Sequence, residues 1–144
     1  MTTLPIRFTR PTAEIPTRAH PTDAGLDLRA AEDVTIHGDD IFTIGTGVAV
    51  AIPEGHVGLL FGRSSLPNTY GIQLANGVGV IDPDYRGEIK VALRKIGNTM
   101  KRINRGERIA QLVIVPCVIP TLDVVPTLPE TVRGSGGFGS TGVR

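Results

Sequence analysis

Three features of this sequence predict an all-β domain, a sandwich or barrel of many short strands. Apolar residues alternate or run in short blocks, and each block is closed by Gly, Pro or Asp. No window carries apolar residues at three- and four-residue spacing for long enough to make a sizeable amphipathic helix. Tryptophan is absent, Val and Ile are abundant, and turn residues recur about every ten positions, the rhythm of short antiparallel strands.

The elements follow in order. "AGLDLRA" at 24–30 sets Asp27 between Leu26 and Leu28, so on a strand its carboxylate faces away from both, into a polar pocket or into solvent. "IFTIGTGVAVAI" at 41–52 and "HVGLLFG" at 56–62 are strand blocks parted by Pro53, Glu54 and Gly55. "SSLPNTY" at 64–70 is the one stretch suited to a helical turn, with Ser64 or Ser65 as its cap and Pro67 tolerated near its start. "IQLANGVGVID" at 72–82 and "GEIKVAL" at 87–93 flank an Asp-Pro-Asp-Tyr corner and read as a hairpin. "RIAQLVIVPCVI" at 108–119 is a long apolar run, either an ordinary core strand or one partly buried against a second copy of the chain. Its Cys117 reads as a small buried apolar filler. Beyond "TLDVVPTLPET" the pattern stops, and Pro126 and Pro129 form a spacer, dividing a β domain at 1–125 from a glycine-rich tail at 126–144.

At 144 residues the chain can bury one ordinary core without staples. Basic and acidic residues number 15 and 14, so no broad cationic field favours nucleic acid or an anionic membrane surface, and any bound anion must be held locally. No apolar run approaches the roughly 20 residues of a membrane span, and "MTTLPIRFTR" lacks a signal-peptide centre; a cytoplasmic protein is expected. His20, His37, His56 and the single cysteine have no zinc-ligand spacing.

Four stretches carry chemistry. "GRSSLP" at 62–67 joins a guanidinium, two hydroxyls and free backbone N–H groups, a set suited either to phosphate oxygens or to a plain N-cap beside a surface arginine. "NGVGVIDPDYRGE" at 76–88 places Asp82 after Val78, Val80 and Ile81, where a carboxylate at an apolar margin can orient a water and, ionised at neutral pH, act as a base. Tyr85 offers a flat ring to a sugar face, or is simply a surface tyrosine. Asp27 is the third. The fourth is "RGSGGFGSTG" at 133–142, which lacks the P-loop pattern and has no helix to follow; a disordered linker accounts for its glycines but not for Arg133 and Phe138.

In this order "DAGLDLRA", "GRSSLP", "NGVGVIDPDYRGEIKV", "RIAQLVI" and "RGSGGFGSTG" resemble the five motifs of the trimeric dUTPases, which hydrolyse dUTP to dUMP and pyrophosphate. The resemblance spans residues 23–142 and implies a β jelly roll assembled as a homotrimer with three shared interface sites. It implies that Asp82 holds and deprotonates the attacking water, and that Mg²⁺ travels with the triphosphate, met through water by Asp27 rather than by a direct protein ligand. Arg63, Ser64, Ser65, Lys90 and Gln111 belong to the implied substrate set, with Arg63, Ser64 and Gln111 on phosphate oxygens. Asn76 and the backbone of Gly79, Val80 and Ile81 would read uracil, and Tyr85 would lie against C2′. In the tail, Arg133 would meet the γ-phosphate, Phe138 would stack on uracil, Ser140 and Thr141 would add hydroxyls, and Gly137 and Gly139 would let backbone N–H groups close on the triphosphate. The implied tail is a lid, disordered without nucleotide, that closes over a neighbouring subunit's site.

Gly62 stands where these enzymes have Pro, and "GRSS" also occurs in dCTP deaminases of the same fold. Those enzymes need a glutamate at the position aligned with Ala92, and alanine cannot shuttle a proton. A regulatory protein-binding module is the alternative of another class, known for phage-encoded members, and a purely structural jelly-roll trimer is the third. Neither nucleic acid nor membrane is an expected partner.

Overall fold

The computed structural model describes residues 3–38 and 40–137. In chain order the strands are β1 (Ile6–Phe8), β2 (Leu26–Arg29), β3 (Val34–Ile36), β4 (Ile41–Gly45), β5 (Val48–Val50) and β6 (His56–Phe61). The helix α1 (Ser65–Tyr70) comes next, followed by β7 (Ile72–Leu74), β8 (Gly79–Ile81), β9 (Lys90–Lys95), β10 (Lys101–Ile103) and β11 (Arg108–Pro116). The all-β architecture with one short helix is therefore as expected.

The strands form a four-stranded antiparallel sheet in the order β2-β11-β6-β8, a three-stranded sheet β4-β9-β7, and the pairs β1-β5 and β10-β3. Alternation sorts the four-stranded sheet into two faces. Leu112 pairs with Leu26 and Leu60, and Leu60 with Gly79, making one row on the core side. Gln111 pairs with Asp27 and Phe61, making the adjacent row on the opposite side. Leu112, Ile109, Ile44, Ile72, Val91 and Leu93 are fully buried between the layers, where burial of each such side chain contributes about 1.5–3 kcal/mol. Gly58 keeps the layers close, since a Cβ there would lie 2.6 Å from Ile52 Cδ1.

The predicted hairpin over 76–88 does not form. β8 pairs with β6 and β9 pairs with β4 and β7, so 82–89 is a crossover between two sheets. The Asp-Pro-Asp-Tyr corner is a turn, with Tyr85 N–H donating to the Asp82 carbonyl at 3.2 Å, but the strands it leaves diverge to bury different faces.

Helix α1 sits where the sequence places it, without the expected serine cap. Ser64 is at the N-cap with φ −55° and ψ −29° and makes no side-chain capping bond. Already helical, its backbone does not present the hydroxyl to the free N–H groups as an extended cap residue does. Six residues are too few to hold a helix alone. Gly71 closes its end at φ 63°, and the buried Lys95 donates to the Tyr70 carbonyl at 2.9 Å and the Ile96 carbonyl at 3.3 Å.

Cys117 is exposed, not a buried filler. β11 ends at Pro116, and from there to residue 135 the described chain is exposed and without strand or helix.

Candidate active site

The outward row of the four-stranded sheet carries the first cluster. Asp27, on edge strand β2, is 8% exposed and meets two guanidinium groups: Arg63 Nε at 2.9 Å and Arg108 Nη1 at 3.1 Å. Of the two, Arg63 lines a cleft, and its remaining N–H donors can take an anion. Arg63 arrives from the end of β6. Arg108 arrives because β11 is irregular between Arg108 and Ala110, so that the side chain is re-aimed toward Asp27. Gln111, opposite Asp27, donates from Nε2 to the Gly62 carbonyl at 3.2 Å. A Cβ on Gly25 would fall on Gln111 Oε1, so only glycine leaves room for the amide. Asp27, Arg63, Ser64 and Gln111 line one cleft of about 400 Å³ together with Asp23. The His20 backbone N–H, 2.9 Å from Asp23 Oδ2, holds that carboxyl below the usual carboxylate range.

The second cluster lies beyond the opposite edge strand, β8. Asn76, Gly79, Val80, Ile81, Asp82, Tyr85 and Lys90 line a cleft of about 350 Å³ with Leu60, Ile89 and Ala92. Asp82 follows buried Ile81, is exposed, and accepts no hydrogen bond on its carboxylate from any described residue. It is at the apolar margin expected of it and free to hold a water. The Tyr85 ring, 46% exposed, lies over Gly87, and its hydroxyl donates to the Glu88 carbonyl at 3.0 Å. Ala92 lines this cleft beside Glu88, and at position 92 itself there is no glutamate to move a proton.

The predicted residues thus fall into two separate clefts. The Asp27–Gln111–Phe61 row and Gly79–Ile81, which pair with Gly58–Leu60, sit toward opposite edges of the sheet; Gly79 and Ile81 turn to the core, while Val80 turns the same way as Phe61. Ser65 is exposed and lines neither cleft. Arg133 donates from Nε to the Gly136 carbonyl at 2.9 Å, and it and Gly137 are exposed. Phe138, Gly139, Ser140 and Thr141 lie outside the described residues. Sequence reasoning missed Arg108, because Arg108 and Gln111 are three apart and strict alternation puts them on opposite faces; only the bulge brings them together.

A β scaffold with an arginine-flanked carboxylate in one cleft and a backbone-edged cleft with an exposed carboxylate in another defines a β domain suited to a small anionic ligand. The dUTPase family model matches residues 11–142. The deoxyuridine 5'-triphosphate nucleotidohydrolase of Corynebacterium diphtheriae is 48% identical over 134 residues, 92% of this chain and 88% of that protein. That of Rhodococcus erythropolis is 45% identical over 133 residues, 92% of this chain and 81% of that protein. The structure of the Staphylococcus bacteriophage 80alpha dUTPase with dUPNHPP superposes with a TM-score of 0.90 at 35% identity, covering 99% of this chain and 100% of that one. The chain belongs to the dUTPase family, the dUTP diphosphatases. No described helix is long and apolar enough to cross a membrane.

Proposed function

We propose that this protein hydrolyses dUTP to dUMP and pyrophosphate, at sites that one copy leaves incomplete. The supporting observation is the division of the predicted residues between two clefts toward opposite edges of one sheet. A second copy must bring its Asp82 cleft to the Asp27–Arg63 cleft of the first. In the joined site Arg63, Ser64 and Gln111 hold phosphate oxygens, Arg108 and Asp27 keep Arg63 in place, and Asp82 takes a proton from the water that attacks the α-phosphorus. Asn76 and the backbone of 79–81 pair with the edge of uracil, and a mismatched base leaves those groups unpaired. Tyr85 lies against C2′ of the sugar, where a ribose hydroxyl would collide with it.

The donor set suits an ion carried by the triphosphate. No group of three or more His, Cys, Asp or Glu among the described residues could hold one, yet each Asp27 oxygen takes one guanidinium and keeps a lone pair for the hydrogen of a metal-bound water. Mg²⁺ held there by the phosphates would screen their charge from the incoming nucleophile. A structure of the phi11 phage dUTPase, 32% identical with a TM-score of 0.80 over 88% of this chain and 98% of that one, is described as showing coordination of a structural Mg(II) ion.

The assembly we propose is a homotrimer, with residues 126–144 as an arm that completes a neighbour's site and closes as a lid. Supporting it, Val118, Ile119, Leu122, Val124 and Leu128 are each at least 76% exposed, an apolar surface that one copy does not cover. An apolar groove of about 450 Å³ beside β1, lined by Leu4, Ile6, Ile15 and Ile114 among others, matches it in character.

The test is pyrophosphate release with Mg²⁺ from dUTP, dTTP, dCTP and UTP in parallel, with ammonia followed for dCTP. Release from dUTP alone is expected; ammonia from dCTP would point to the deaminase chemistry instead. Removing residues 133–144 is expected to leave a folded oligomer with severely reduced turnover, and an active truncated enzyme would refute the lid.

A further inference from the structure

Arg10 lies outside the five motifs and outside both clefts, yet it is bound into the wall of the Asp82 cleft. Its guanidinium meets Glu88 twice, Nε to Oε1 at 2.8 Å and Nη2 to Oε2 at 3.1 Å, and Glu32 once, Nη1 to Oε1 at 3.2 Å. The Glu88 side chain is 14% exposed and accepts a third bond, from the Gly47 N–H at 2.8 Å. The seat is shaped for this group: a Cβ on Gly45 would strike the Arg10 guanidinium and lie 2.6 Å from Glu88 Oε1. The same Glu88 accepts the Tyr85 hydroxyl on its main-chain carbonyl at 3.0 Å. Tyr85 is nearly half exposed and has little else to fix its ring beyond its contact with Gly87.

We propose that Arg10 is a positioning residue for sugar selectivity: it fixes Glu88, and Glu88 fixes the Tyr85 ring against C2′. The proposal rests on the reading of Tyr85 given above. Without Arg10 a mostly buried carboxylate retains one backbone donor, and swinging it to water relieves that deficit. The Ile89 N–H shares a peptide unit with the Glu88 carbonyl and bonds the Val48 carbonyl at 2.8 Å, so the strand holds its start and the disturbance is a tilt of that unit and of the turn before it, felt at the Tyr85 hydroxyl.

The experiment measures kcat/KM for dUTP and UTP by pyrophosphate release. In Arg10→Gln the preference for dUTP over UTP is expected to fall about tenfold, as a small misplacement of a positioning group does, while kcat/KM for dUTP falls less than about threefold. Arg10→Lys restores part of the preference. In a Tyr85→Phe background, where the hydroxyl link is already cut, Arg10→Gln changes the preference no further. If Arg10→Gln fails to fold, Glu88→Gln, which keeps its size and an acceptor for Gly47, is expected to shift the preference in the same direction. An unchanged preference in the folded variant, or full additivity with Tyr85→Phe, overturns the proposal. A parent enzyme that does not distinguish dUTP from UTP overturns the sugar reading itself, and this inference with it.

Discussion

The two clefts of this chain are built on opposite plans. The Asp27 cleft is preassembled from charge: a buried carboxylate held between Arg63 and Arg108, the Asp23 carboxylate, and an amide seated in a glycine gap. The Asp82 cleft is built from backbone and shape; of its two acids Glu88 is paired with Arg10, and Asp82 accepts no hydrogen bond on its carboxylate from any described residue. A site that holds a polyanion must keep like charges apart and fixed before the ligand arrives, which takes burial and ion pairs. On the proposed reading, a site that reads a base and activates a water needs edges and a free lone pair, which an ion pair on Asp82 would take away.

This contrast predicts that the two carboxylates fail differently. The largest effect is expected for Asp82→Asn, a loss of about 10² to 10⁴ in pyrophosphate release with the thermal midpoint unmoved. A variant that also unfolds early would show that Asp82 is structural, and the contrast would be lost. Next comes Asp27→Asn, which leaves Arg63 and Arg108 facing one another. It is expected to cost about 2–3 kcal/mol of stability by urea unfolding, a range set below that of a fully buried pair because both arginines are partly exposed, together with a raised KM for dUTP. Gly25→Ala sharpens the same side more gently: its Cβ displaces the Gln111 amide from the Gly62 carbonyl, at about 1–2 kcal/mol, with the effect in KM rather than kcat.

The smallest effect concerns Asp23, held below the usual carboxylate range first by the His20 N–H. A carboxyl lowered in the folded state contributes stability that is fully present above its unfolded value near 3.9 and is lost as pH falls through the folded one. Asp23→Asn is therefore expected to flatten that acid-side decline in unfolding curves while leaving the dependence between pH 6 and 8 unchanged.

Legibility followed length and alternation. Six blocks of apolar pattern were readable as strands, and each contains one or more. β1, β3 and β10 are three residues long and stand outside any apolar block, whereas the equally short β5, β7 and β8 lie inside one. The crossover at 82–89 reads as a hairpin in the sequence because turn chemistry reports that the chain bends, not which strand it meets next. Arg108 was hidden by a bulge, and the Arg10–Glu88 pair by 78 residues of separation.

The order and identity of the motifs, the free aspartate after an apolar run and the near-neutral charge were settled by the sequence alone, because each is a local choice of residue type. Which face each motif occupies was decided only by the tertiary structure. Facing depends on strand register, and register depends on partners far away in the chain: Gln111 beside Asp27 and Phe61, Leu60 beside Gly79. That pairing places in two clefts residues that seem, in linear order, to belong to one site.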